Sequence, residues 1–133
     1  MTSEQTGSPR RGRCSSWLSS FQAACSGLVH TLRTQRNMRV HVVVAAIVMT
    51  SAAWVNSGPV EWGLLAFAIG LVLVAELLNT AIEAVVDLAS PEWHALAKQA
   101  KDAAAAGVLI AAITAAFVGC CIFGPQLWTW LSG

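Results

Sequence analysis

The sequence has few charged residues. Only 11% of its 133 residues are Asp, Glu, Lys or Arg and 56% are hydrophobic, whereas about 25% charged residues is usual for a soluble domain. No charged residue occurs between Val40 and Val60 or after Asp102. Because a small domain has a high ratio of surface to volume, so few charges do not cover a water-soluble fold of this length. The composition therefore excludes a soluble globule and indicates an integral membrane protein.

Several signals of other protein classes are also missing. Residues 1–16 have no apolar core, so we expect no cleavable signal peptide and a disordered tail over 1–14, before one membrane domain over 15–133. The cysteines form no CxxC pair and are expected to be packing residues. A net charge of +1 argues against a nucleic-acid binder. No GxxxxGK[ST] or GxGxxG motif occurs, so any nucleotide site is built without a Walker or Rossmann loop.

Three apolar stretches are long enough to cross a membrane, for which a helix needs about 20 residues. These spans are expected near residues 39–55, 61–87 and 103–131. The turn signal Asn56-Ser57-Gly58-Pro59 joins the first two into a hairpin, and Gly124 and Pro125 interrupt the third near its end. An amphipathic surface helix is expected near 16–36, where apolar residues recur every three or four positions. The sequence thus predicts an all-α membrane protein with a surface helix and three spans.

The positive residues indicate how the chain is oriented. They occur before Val40 or between the second and third spans: Arg10, Arg11, Arg13, Arg33, Arg36, Arg39, Lys98 and Lys101. Because lysine and arginine are retained on the cytoplasmic side, we expect the N-terminus in the cytoplasm and the C-terminus outside. Four tryptophans would then lie at the outer interface, where indoles concentrate. They are Trp54, Trp62, Trp128 and Trp130.

The second span carries carboxylates, which are rare in membrane helices and suggest a functional site. At about 100° per residue, its polar side chains fall within an arc of about 100° on one helix face. They are Glu76, Asn79, Thr80, Glu83 and Asp87. At about 1.5 Å per residue, Glu76 lies about 21 Å inward from Trp62 and Glu83 about 31 Å, near the cytoplasmic boundary of a core about 30 Å thick.

Depth suggests different roles for these carboxylates. Glu76 is placed to act as a general base that takes a proton from a hydroxyl group. Glu83 and Asp87 are hard oxygen ligands of the kind that suits Mg²⁺ carried in with a nucleotide. The same polar stripe also suits a clamp between the helices of neighbouring subunits, and spacing alone does not decide between the two interpretations.

The connection between the second and third spans contains groups that are compatible with phosphate. Ser90-Pro91-Glu92 predicts a helix start, with Ser90 as N-cap and Pro91 at the first helical position. Lys101 is suited to neutralise phosphate oxygens, and Asp102 is suited to position that lysine or to hold a polar ligand group. A lysine at the end of a span also often snorkels to the interface without a chemical role.

The segment from Ala75 to Ala112 resembles the signature region of the bacterial integral-membrane diacylglycerol kinase family, which includes the undecaprenol kinases. The resemblance rests on the pattern ExxNxxxExxxD from Glu76 to Asp87, followed by Glu92-Trp93-His94 and Ala100-Lys101-Asp102. It implies a homotrimer of three-span subunits, each with a surface helix. It also implies transfer of the γ-phosphate of MgATP to a lipid hydroxyl, on diacylglycerol or undecaprenol, at sites between neighbouring subunits.

The resemblance also implies roles for single residues. Glu76 is expected to be the catalytic base. The implied nucleotide-binding residues are Asn79, Glu83, Glu92, His94, Lys101 and Asp102. Glu83 is the implied metal ligand, and Gln35 stands where better-known members have a second acidic ligand, so it keeps an oxygen ligand without the charge. The string from Arg36 to His41 looks more like the undecaprenol kinase branch than the enterobacterial one.

Two other functions remain open from the sequence. One is a small proton-coupled transporter that uses Glu76 as its proton site, although such carriers usually have four spans and do not need the pair Lys101 and Asp102. The other is a non-catalytic member of the same family, for which Gln35 is the only positive indication.

Overall fold

The computed structural model describes residues 17–133 as four α-helices, with no strand in that range. The helices are α1 (Trp17–Thr34), α2 (Arg36–Trp54), α3 (Pro59–Ala89) and α4 (Ala95–Ser132). The last three are each long and apolar enough to cross a membrane, which confirms the predicted all-α fold with three spans. The predicted disordered tail over 1–14 lies outside the described residues, as do Ser16, Cys14 and the first three arginines.

The surface helix and the first span are separate helices because the chain is extended at one residue between them. Gln35 has φ −95° and ψ 119°, and its N–H donates to the carbonyl of Thr31 at 2.8 Å. Thr31 and Met38 are buried on either side of this break. Most of the apolar side chains of α1 remain exposed, as expected of a helix whose apolar face meets a membrane surface.

The first two spans form the predicted tight hairpin. Asn56 in the connecting turn has a φ of 52°, the left-handed conformation that asparagine tolerates better than most residues. Pro59 begins α3, where its missing N–H removes no helical hydrogen bond.

The core of the chain lies along one face of α3. Its buried residues recur every three or four positions: Leu65, Ala68, Val72, Glu76 and Asn79. This face packs against α4, with which α3 shares its most extensive contact, and more narrowly against α2. Most other apolar side chains of the spans are exposed, and lipid tails are a suitable environment for them.

Both α3 and α4 are longer than a bilayer core of about 30 Å, because their 31 and 38 residues extend about 46 and 57 Å. The third span is expected near residues 103–131, and the helix that contains it, α4, begins earlier, at Ala95. Its first turns are rich in Ala, Lys and Gln, which are strong helix formers although some are polar.

The predicted interruption of the third span at Gly124 and Pro125 is wrong, because α4 continues to Ser132. Membrane helices tolerate an internal proline.

The predicted helix start at Ser90 is wrong as well. Ser90 ends α3, and its N–H still donates to Val86. After Ser90 the chain uses residues 91–93 to reverse its direction. The N-cap of α4 is therefore His94, whose Nδ1 accepts a hydrogen bond from the Leu96 N–H at 3.2 Å.

The cysteines of the described range are free and exposed, so the expectation that they are packing residues is wrong for the single chain. They are Cys25, Cys120 and Cys121. The last two lie on α4, much of whose surface contacts neither α2 nor α3.

Candidate active site

The polar stripe of α3 faces the protein interior at its deeper end. Glu76 is only 2% exposed and Asn79 only 7%, while Glu83 is half-buried and Asp87 is exposed. The Asn79 amide Nδ2 donates to Oε1 of Glu83 at 3.0 Å. The Thr80 hydroxyl donates to the backbone carbonyl of Glu76 at 2.9 Å. The stripe therefore passes from a buried carboxylate, Glu76, to an exposed one, Asp87, near the C-terminal end of α3.

Two buried acceptor atoms in this stripe have no hydrogen-bond partner within residues 17–133. They are Oε2 of Glu76 and Oδ1 of Asn79. An unpaired buried acceptor costs about 1–3 kcal/mol, so such atoms are rarely kept without a reason. They are the acceptors that a donor on a bound ligand would satisfy.

One residue outside α3 acts on this deep carboxylate. His41 of α2 is half-buried and interacts electrostatically with Glu76, as does Glu83. Sequence reasoning gave His41 no chemical role. The sequence does contain a signal of such a role, because a histidine within an otherwise apolar membrane span is rare.

The polar residues of the α3–α4 connection surround a second feature, a cavity of about 390 Å³. We call it the cytoplasmic cavity, because the distribution of lysine and arginine predicts that this end of the helices faces the cytoplasm. Its polar and charged lining residues are Asp87, Ser90, Glu92, His94, Lys98 and Lys101. The structure thus places three of the implied nucleotide-binding residues, Glu92, His94 and Lys101, around one cavity. Lys98, which sequence reasoning did not assign to the site, also lines the cavity.

Two ion pairs hold the lysines of this cavity. Lys101 is paired with Asp87 at the end of α3, and Lys98 is paired with Asp102 one turn further along α4. Asp102 is thus paired with Lys98 and not with Lys101, so the expected positioning of Lys101 by Asp102 is not met, and its other expected role, holding a polar ligand group, stays a prediction. Adjacent residues on a helix point about 100° apart, so Asp102 faces Lys98 instead.

The expected metal ligands are not joined in the single chain. Gln35 is half-buried at the break between α1 and α2, and no hydrogen bond connects it to Glu83 within residues 17–133. That part of the chain also contains no cluster of three or more His, Cys, Asp or Glu side chains that could hold a metal ion. Glu83 still has a carboxylate oxygen that Asn79 does not use.

Comparison with known proteins places this arrangement in a family. Residues 22–123 match the prokaryotic diacylglycerol kinase family. The chain is 44% identical over 111 residues to the diacylglycerol kinase of Synechocystis, an alignment that covers 83% of the chain and 63% of that protein. It is 39% identical over 117 residues to the undecaprenol kinase of Bacillus subtilis, covering 88% of the chain and 95% of that protein. It is 40% identical over 85 residues to the diacylglycerol kinase of Escherichia coli, covering 64% and 67%.

The matched region contains the whole polar stripe of α3, the cytoplasmic cavity and Gln35. These relatives are all kinases, which leaves the transporter hypothesis without support. The chain therefore belongs to the prokaryotic diacylglycerol kinase family of membrane lipid kinases.

Proposed function

We propose that the chain transfers the γ-phosphate of ATP, bound with Mg²⁺, to the hydroxyl group of diacylglycerol or undecaprenol. One observation carries this proposal, namely the buried Glu76 with its unpaired Oε2, on the same helix face that leads to the cytoplasmic cavity at Asp87. Transfer of radiolabel from ATP to each lipid in mixed micelles tests the function. The lipid that accepts label faster identifies the preferred acceptor.

Glu76 acts as the general base in this proposal. A carboxylate in the membrane is reached by a lipid hydroxyl from the bilayer side, and its unpaired oxygen accepts the hydroxyl proton. The hydroxyl oxygen then bonds to the γ-phosphorus, and ADP leaves. Because phosphoryl transfer depends mainly on positioning and on charge neutralisation, so small a set of groups is sufficient.

The cytoplasmic cavity holds the nucleotide. Lys101 neutralises phosphate charge, and its ion pair with Asp87 keeps the ammonium at the end of α3. Glu92 and His94 line the same cavity and are available to contact the rest of the nucleotide. Asp102 acts indirectly, through Lys98. Glu76 is about 16 Å from Asp87 along the helix axis, so the triphosphate extends from the cavity along α3 toward the base.

The oxygen atoms near Glu83 fit a hard cation. The free carboxylate oxygen of Glu83 and the unpaired Oδ1 of Asn79 are ligands of the type that Mg²⁺ prefers, and ATP phosphates supply others. A Mg²⁺ ion held by these oxygens would neutralise charge on the phosphates. Gln35 would add a neutral oxygen from the junction of α1 and α2.

Gln35→Glu is expected to strengthen the dependence on Mg²⁺. If Gln35 reaches the metal, a carboxylate in its place lowers the Mg²⁺ concentration for half-maximal activity by about 10-fold and raises activity at limiting metal. Titration of kinase activity with Mg²⁺ measures this. Gln22→Glu makes the same charge change on an exposed position of α1 and should leave the Mg²⁺ titration unchanged. An unchanged titration for Gln35→Glu would exclude Gln35 from the metal site.

We also propose that the protein is a homotrimer in the bacterial inner membrane, with its N-terminus in the cytoplasm and its C-terminus outside. The distribution of lysine and arginine supports the orientation. The exposed apolar faces of the spans and the family membership support the assembly.

Two single cysteines at opposite ends of α4 test the orientation. In a variant whose native cysteines are replaced by serine, Ser132→Cys should react with a membrane-impermeant maleimide in intact spheroplasts. Ala100→Cys should react only after permeabilisation, because it lies on the cytoplasmic extension of α4. The opposite labelling pattern would invert the proposed topology.

A further inference from the structure

A groove of about 510 Å³ runs between α2, α3 and α4 within the membrane-spanning part of the chain. Small residues of α4 leave this space open: Ala112, Ala115, Ala116, Gly119 and Gly124. A Cβ atom placed on Gly119 would meet no other side chain or backbone within 4 Å. The lining is apolar throughout its length except at its inner end, where His41 lies.

This inner end meets the deep carboxylate of α3. Leu73 lines the groove, and Glu76 follows it by about one helical turn toward the cytoplasm. His41 interacts electrostatically with Glu76. Neither ring nitrogen of His41 has a hydrogen-bond partner within residues 17–133, and Oε2 of Glu76 and Oδ1 of Asn79 are buried without one.

These unpaired groups complement an alcohol. The carboxylate oxygen of Glu76 accepts a hydrogen bond, the imidazole N–H of His41 donates one, and a hydroxyl group does both. The groove adds an apolar channel that ends at this cluster. A molecule with a long apolar chain and a terminal hydroxyl therefore matches both parts at once.

We propose that the groove binds the apolar chain of the acceptor lipid and that His41 donates a hydrogen bond to the acceptor hydroxyl oxygen while Glu76 accepts its proton. This inference rests on the proposed kinase function. In the transfer, the hydroxyl oxygen forms a bond to the γ-phosphorus and the bond from that phosphorus to the bridging oxygen of ADP breaks. The proton moves to Glu76. The hydrogen bond from His41 uses one lone pair of the oxygen and leaves the other directed at the phosphorus.

Substitution of His41 tests the hydrogen bond. His41→Ala is expected to lower kcat/KM for the lipid by about 10- to 100-fold, the effect of leaving a polar group at the site unpaired. KM for ATP should not change, because His41 lines the groove and is not among the residues that line the cytoplasmic cavity. His41→Gln keeps an N–H donor and should recover much of the loss. His30→Ala on α1, where the side chain is exposed, is the matched control and should behave like the parent.

A second pair of variants tests the groove. Gly119→Leu fills the groove and should raise KM for a long-chain lipid alcohol, with little effect on KM for ATP. Gly107→Leu adds the same side chain to α4 at an exposed position where a Cβ also meets nothing, and it should not change either KM. Size measurement in detergent accompanies both variants, because side chains of a second copy are the other apolar groups that would fill this groove.

The outcomes separate this inference from the kinase function. If the parent phosphorylates lipid but His41→Ala keeps the parental lipid kcat/KM, the role of His41 is wrong and the kinase function stands. If Gly119→Leu dissociates the assembly and leaves the lipid KM unchanged, a second copy occupies the groove and the proposed lipid site is wrong. If the parent phosphorylates no lipid, the kinase function itself fails.

Discussion

Replacement of Glu76 by glutamine is expected to lower kcat for lipid phosphorylation by about 10²- to 10⁴-fold, the range that a positioned general base contributes. The amide has nearly the same shape as the carboxylate but does not take a proton from the lipid hydroxyl. Glu76 is 2% exposed, so solvent does not readily replace it as the base. Initial rates at saturating lipid and ATP measure kcat, and ATP binding by the inactive variant shows that the site still forms.

Glu61→Gln is the matched control for this substitution. Glu61 lies in the first turn of the same helix, at the end opposite to the cytoplasmic cavity. Its loss removes a favourable interaction with the helix N-terminus, which is worth about 0.3–1 kcal/mol and affects stability rather than the chemical step. A parental kcat in Glu76→Gln would show that the proton leaves by another route and would reduce Glu76 to a structural residue.

Replacement of Lys101 by methionine is expected to lower kcat/KM for ATP by about 10²- to 10³-fold, as for loss of one group that stabilises transition-state charge. Methionine keeps the apolar length of the side chain and removes the ammonium group. The lost ion pair with Asp87 joins side chains that are 38% and 66% exposed, so it contributes at most about 1 kcal/mol to stability. Steady-state rates over a range of ATP concentrations measure the effect.

Lys98→Met separates a specific role of Lys101 from a general need for positive charge. Lys98 lines the same cavity, but its side chain is 63% exposed and is paired with Asp102 on its own helix. Its loss should therefore have a much smaller effect than the loss of Lys101. Equal losses in the two variants would indicate that the cavity attracts ATP only by its overall charge.

The parts of the fold that depend on composition and helical periodicity were predictable from the sequence. The three spans follow from their apolar length, and the hairpin follows from Asn56 and Pro59. The burial of Glu76 and Asn79 follows from a polar stripe on an apolar helix, because lipid does not solvate such groups. Each of these features is determined by residues that are close in the sequence, or by whether lipid or protein surrounds a given face of the helix.

The features that depend on contacts between helices were not predictable in the same way. The start of α4 depends on how the chain reverses after α3, so His94 and not Ser90 caps it. The partner of Lys101 is Asp87, which is distant in sequence and is brought near by the packing of α3 against α4. The approach of His41 to Glu76 likewise requires α2 to pack on α3.

The most direct test of the proposed function is transfer of radiolabel from [γ-³²P]ATP to a lipid hydroxyl by the purified protein in mixed micelles with Mg²⁺. Diacylglycerol and undecaprenol are supplied in separate reactions, and Glu76→Gln is run beside the parent. We predict a labelled lipid monophosphate from the parent with at least one of the two lipids, and almost none from Glu76→Gln. MgATP binding without label on either lipid would contradict the proposal and would identify the chain as a non-catalytic member of its family.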